Sequence, residues 1–95
     1  MDTQISDTTM LTVSPDAIGS DIDGEVVLIN VRSGLYLGLD AVGSEVWRRL
    51  HAETSFADLC AGLKVHFQGD AAVIERETKD FLAALAERGM LLSEG

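Results

Sequence analysis

The side chains able to do chemistry in this chain are few and far apart. His51 and His66 are its only imidazoles, 15 positions from one another. Neither belongs to a Cys-x-x-Cys or His-x-x-x-His pair, so a tetrahedral zinc site lacks ligands and no metal is expected. Cys60 could serve as a nucleophile with a histidine as its base. It falls inside an apolar helical stripe, however, where a thiolate is costly to form, and it reads as a core cysteine. Ser33, Ser44 and Ser55 occupy turn or cap positions, and none stands in a Gly-x-Ser-x-Gly context. Gly34, Gly38 and Gly43 are not followed by Gly-Lys-Ser/Thr, so no phosphate loop and no cofactor are read. The carboxylates are numerous but scattered, and none forms a distinct acid–base couple. No catalytic residue is assigned, and the chain is expected not to be an enzyme.

Binding is the remaining class, and charge narrows it. The 95 residues carry a net charge of −9. Asp2, Asp7, Asp16, Asp21, Asp23 and Glu25 all precede the first base, Arg32. Nucleic-acid binders need clustered Lys and Arg to displace phosphate counterions, and here only Arg48-Arg49 are adjacent. Anionic membranes are repelled by the same charge. Residues 1–15 lack the basic start and apolar run of a signal peptide, and Cys60 is the lone cysteine. A reducing cytoplasm is therefore the expected location.

The elements that must position any binding site follow from periodicity. Residues 1–9 are polar apart from Met1 and Ile5 and read as a flexible N-terminus, with one domain over residues 10–95. Leu11 and Val13 flank Thr12 before Ser14-Pro15 breaks the strand. Ile18 to Asp23 reads as a weak strand, and Asp23-Gly24 as a hairpin turn. Glu25 to Val31 is rich in β-branched residues and reads as the most buried strand. Arg32-Ser33-Gly34 makes a second turn. Leu35 to Leu39 then alternates, with Leu35, Leu37 and Leu39 on one face and Tyr36 on the other. Gly38 interrupts that strand, for a close backbone approach or for a bulge.

The second half has helical spacing. Asp40 is the expected cap of a first helix carrying Val42, Val46, Trp47 and Leu50 on one side. Trp47 is read as core. His51 to Glu53 is a loop, and Thr54 or Ser55 caps a second helix with a Phe56, Leu59, Cys60, Leu63, Phe67 stripe. Gly69 ends it. Asp70 caps a third helix running to about Arg88, with Ile74, Thr78, Phe81, Leu82 and Leu85 inside and Glu75–Lys79 and Arg76–Asp80 as pairs four apart. Gly89 stops it, and Met90 to Leu92 pack back as a tail. Strands first and helices after make an α+β domain, a three-stranded antiparallel sheet followed by three helices.

In order and spacing these residues resemble the PqqD-like family, the RiPP recognition elements. GEVVLIN, VRSG and LYLGLD stand where the family has two strands and a turn. Gly43, Val46 and Trp47 match its small residue and Ile/Val-Trp pair, and Thr54, Leu59 and Leu63 its second helix. Phe81, Leu82, Leu85, Gly89 and Leu91 match its closing pattern. The likeness covers about residues 11 to 92. It departs at His51-Ala52-Glu53, where the family often has Asp-Gly, and at Thr78, where it commonly has an aliphatic residue.

The resemblance implies a winged helix-turn-helix-like fold that binds peptides. A precursor's leader segment would add as a strand to the edge of the third strand, beside the third helix. The implied contacts are Gly34, Leu35, Tyr36 and Leu37 from the strand and Ile74, Glu75, Thr78, Lys79 and Leu82 from the helix. It further implies a leader peptidase and a cyclase as partners, as in lasso peptide biosynthesis. A peptide chaperone of pyrroloquinoline quinone synthesis is the near alternative. A winged-helix DNA-binding regulator is the distant one, opposed by the charge.

Overall fold

The computed structural model describes residues 5–94. Asp23 and Gly24 both take positive φ, 55° and 87°. Two consecutive positive values define the type I′ turn, whose twist matches that of paired strands. It joins β2 (Ala17–Ile22) to β3 (Glu25–Asn30). Gly34, at φ 77°, turns the chain again into β4 (Tyr36–Gly38), and β2-β3-β4 form an antiparallel sheet in that order. This is the meander that the alternation predicts.

A second three-stranded sheet was not expected. β1 (Met10–Val13) lies between β5 (Thr54–Ser55) and β6 (Leu91–Glu94). The presumed tail is thus a strand, pairing Val13 with Leu91 and Met10 with Glu94. The segment before it is tied down as well. Thr9 is buried, its carbonyl accepts from Phe56 N, and the Asp7 carbonyl accepts from Ala57 N. Contacts therefore begin before Met10, while residues 1–4 of the expected flexible stretch lie outside the described residues.

Three helices complete the chain: α1 (Ala41–Arg49), α2 (Phe56–Phe67) and α3 (Ala71–Glu87). Each starts at the foreseen cap. Asp40 accepts from Gly43 N at 2.8 Å, Ser55 from Asp58 N at 3.1 Å, and Asp70 from Ala72 N at 2.9 Å. These acceptors satisfy first-turn N–H groups that have no partner inside a helix. At the end of α2 the left-handed residue is Gln68, not Gly69; Gly69 instead makes room for Ile74, whose Cδ1 lies 3.0 Å from where a Cβ would stand. Along α3 the Glu75–Lys79 pair closes at 3.5 Å, whereas Arg76–Asp80 forms no ion pair.

The core gathers Leu11, Leu28, Val46, Leu50, Leu63 and Leu82, all fully buried, with Trp47 beside them. Ser44 is not a turn residue but a buried one. Its hydroxyl accepts from Val26 N at 2.9 Å and fastens α1 to β3. The glycine that permits a close approach is Gly19 rather than Gly38. A Cβ at Gly19 would sit 2.7 Å from Trp47 Nε1, whereas one at Gly38 would meet nothing within 4 Å.

One buried group is unpaired. Thr78 is 1% exposed, and its Oγ1 has no hydrogen-bond partner among the described residues. A buried orphan hydroxyl costs about 1–3 kcal/mol, and the isosteric Val removes it without leaving a cavity. Thr78→Val is therefore expected to stabilise the domain by about 1 kcal/mol, raising Tm by about 4–8 °C. A thermal melt showing no rise would contradict this.

Candidate functional site

The open edge of β4 is set by the parity of its hydrogen bonds. Asn30 N donates to Leu35 O, Leu39 N donates to Val26 O, and Leu37 stands opposite Leu28. Residues in an antiparallel ladder alternate between facing the partner strand and facing away. Leu35, Leu37 and Leu39 therefore turn their main chain toward β3. Tyr36 and Gly38 turn theirs outward. Their N–H and C=O groups point to the side of β4 that no described strand pairs.

Two contacts relate α3 to the segments that flank β4. On one side, in α1 and four residues past Leu39, a Cβ on Gly43 would stand 3.1 Å from Phe81 Cε1 and 3.4 Å from Leu39 Cβ. On the other, Asn30 Nδ2 donates to Arg88 O at 2.8 Å and to Gly89 O at 3.3 Å. The strand residue Leu39 thus matches Phe81, and the turn before Leu35 matches Arg88. The lengths agree: from Phe81 to Arg88 a helix rises about 10 Å, and from Leu35 to Leu39 a strand extends about 13 Å. The Leu35 end of β4 is thus the nearer to Arg88, and the Leu39 end the nearer to Phe81. Leu37, Phe81 and Ala84 are half-buried, so the space between strand and helix has apolar sides.

This geometry sorts the residues chosen from sequence. Gly34, Leu35, Tyr36 and Leu37 are all on or next to the edge; Leu35 and Tyr36 are exposed, while Leu37 packs against the core. Ile74 lies on the same flank of α3 as Phe81, two turns earlier. Glu75 and Lys79 lie on the other flank, toward α2: Lys79 Nζ stands 5.5 Å from the Phe56 ring centroid. The structure does not bring them to the β4 edge. Leu82 and Thr78 are closed to solvent, so they support the helix from within and offer no contact surface. Phe81, Ala84, Arg88 and Asn30 also flank β4 and are not among the contacts the resemblance implies. Phe81 stood in the family pattern, but nothing in the sequence said which flank of α3 faces the strand.

Other reactive groups do not assemble here. Cys60 is half-buried, and burial, with Glu75 and Asp7 nearby, pushes its thiol up to about 11, so it stays protonated at neutral pH. Under the β2 edge a cleft is lined by Gly19, Asp21, Trp47, Arg48 and His51. There the Arg48 guanidinium, 2.8 Å from Asp21, holds that carboxyl below its ordinary value. Among the described residues no three His, Cys, Asp or Glu side chains stand together as a metal site, and no helix is long and apolar enough to cross a membrane.

Solved structures share this architecture. TbiB1 in complex with the TbiA(beta) leader peptide is 35% identical, with a TM-score of 0.77 over 84% of this chain and 93% of that one. A lasso peptide synthetase B1 complexed with the leader peptide is 27% identical, with a TM-score of 0.74 over 86% of this chain and 96% of that one. Among curated proteins none matches the sequence significantly. Residues 25–91, from the first residue of β3 to the first of β6, match the family of coenzyme PQQ synthesis protein D, and the chain belongs to this PqqD family.

Proposed function

We propose that this chain is a cytoplasmic, non-catalytic adaptor that binds the leader segment of a ribosomally made precursor peptide. The leader adds as a strand to β4 and lies against Phe81, Ala84 and Arg88 of α3. Held there, it is presented to a leader peptidase and a cyclase, in lasso peptide biosynthesis. The observation that carries this is the outward main chain of Tyr36 and Gly38 beside a half-buried apolar helix flank. Unpaired strand groups supply affinity to any extended chain, and pockets between strand and helix select among side chains. The lasso setting is preferred to quinone-cofactor synthesis because a lasso peptide synthetase B1 with its leader superposes over nearly its entire length.

The test is an NMR titration with the leader encoded beside this gene. Amides of Tyr36 and Gly38 should shift and become protected from exchange, because a docked strand replaces water as their acceptor. Those of Leu37 and Leu39, already bonded toward β3, should gain little protection. A saturating leader that leaves Tyr36 and Gly38 unprotected would reject strand addition.

A further inference from the structure

The sheet β2-β3-β4 has a second face that peptide binding at the edge does not use. Its register sets Ile18 beside Ile29 and Ile29 beside Tyr36, Ser20 beside Val27 and Val27 beside Gly38, and Ile22 beside Glu25. These residues share the face opposite to the buried Val26 and Leu28, since neighbours along a strand alternate. Ile18 is 53% exposed, Ile22 59% and Tyr36 69%, with Val27 also open. Single exposed aliphatics are ordinary, but an apolar patch running over three adjacent strands marks an interaction surface. The tip of the β2–β3 hairpin adds an acidic rim. Asp23 and Glu25 are exposed there, and neither closes an ion pair among the described residues.

We propose that this face docks the enzyme that acts on the held peptide, through a surface apolar at its centre and basic at its rim; the inference rests on the peptide-binding function given above. Charge decides against a second copy of this chain. Each copy carries −9, so pairing two copies sets like charges together, whereas a basic rim gains from Asp23 and Glu25. Continuity decides for an enzyme of the same pathway. Tyr36 lies both on the docking edge and at the margin of the patch. A strand added beside β4 extends the sheet, and its alternate side chains continue this same face. The enzyme then meets protein and peptide as one surface, and grips the loaded chain more tightly than the free one.

The experiment uses the full chain, a fluorescent leader, and the purified leader peptidase and cyclase encoded with it. Ile18→Ser and Ile22→Ser are combined in one variant, because both side chains are exposed and both lie on β2, away from the β4 edge. Its circular dichroism and melting should match the parent, and leader affinity should stay within about two-fold. Affinity for at least one enzyme should fall about ten-fold or more. Leader should also tighten the parent's hold on that enzyme. Glu25→Lys should slow enzyme association several-fold at low salt, with less effect at high salt. If both enzymes bind the folded double variant as tightly as the parent, the docking face is refuted. It is equally refuted if the parent sediments as a dimer that the double variant dissolves while enzyme binding persists. Failure of the leader to bind, with enzyme contact still lost in the double variant, would leave the docking face standing and overturn the peptide-binding function instead.

Discussion

Gly38→Pro is expected to weaken leader binding about 30–150-fold while keeping the fold, and Leu37→Pro to damage the fold itself. The two positions are neighbours on β4 but differ in where their N–H groups point. The Leu37 N–H faces Leu28 inside the ladder, and the Gly38 N–H faces outward. Proline has no N–H, and its ring fills the space where an incoming carbonyl would approach. At Gly38 the free protein loses no internal hydrogen bond, and a side chain there meets no atom within 4 Å. Its folded state therefore keeps every hydrogen bond of the β3–β4 ladder. The docked leader, by contrast, is left with an unpaired carbonyl and a steric clash. That loss is about 2–3 kcal/mol, or about 30–150-fold in Kd. At Leu37 the same substitution removes a bond of the β3–β4 ladder and should destabilise the domain by about 3 kcal/mol. Fluorescence anisotropy with labelled leader, paired with thermal melts of both variants, separates the two effects. Unchanged leader affinity in folded Gly38→Pro would defeat strand addition at β4.

Which main-chain groups of β4 point outward is not legible in the sequence. The alternation of Leu35, Leu37 and Leu39 tells which side chains share a face, but not which main-chain groups face β3. Local chemistry was readable: the Asp23-Gly24 turn and the caps at Asp40, Ser55 and Asp70 depend on neighbours within three residues. The β5-β1-β6 sheet was not, because it joins segments of two to four residues whose partners lie far along the chain. Strands that short have too few residues for alternation to register, and Leu91-Leu92 look the same as tail or strand. The flank of α3 was hidden for a related reason. The Glu75–Lys79 spacing guarantees that the two side chains meet on one helix surface, yet it carries no information on what that surface faces. The approach of Phe81 to Gly43 and the tie of Arg88 to Asn30 show which flank of the helix is turned toward the strand.

That fastening gives the second large effect. Asn30 is 5% exposed and its amide is used on both sides. The Oδ1 accepts from Arg32 N at 2.9 Å and from Ser33 N at 3.3 Å, holding the turn into β4. The Nδ2 donates to Arg88 O at 2.8 Å and Gly89 O at 3.3 Å, groups beyond the reach of helical hydrogen bonding at the end of α3. One side chain thereby ties the turn into the edge strand to the end of α3. Asn30→Ala removes the partner of the part-buried Arg88 carbonyl and frees the turn, and should destabilise the domain by about 2–3 kcal/mol, lowering Tm by about 10–20 °C. Asn30→Asp keeps the acceptor for Arg32 and Ser33 but turns a carboxylate oxygen toward the Arg88 carbonyl. It should therefore hold the turn and lose the helix tie. Leader affinity, measured at a temperature where both variants are folded, should fall in both, because the strand and α3 are no longer held at the spacing a docked peptide needs. If Asn30→Asp melts with the parent and binds leader as well as the parent, the spacing is set elsewhere, and Phe81 against Gly43 must fix it alone.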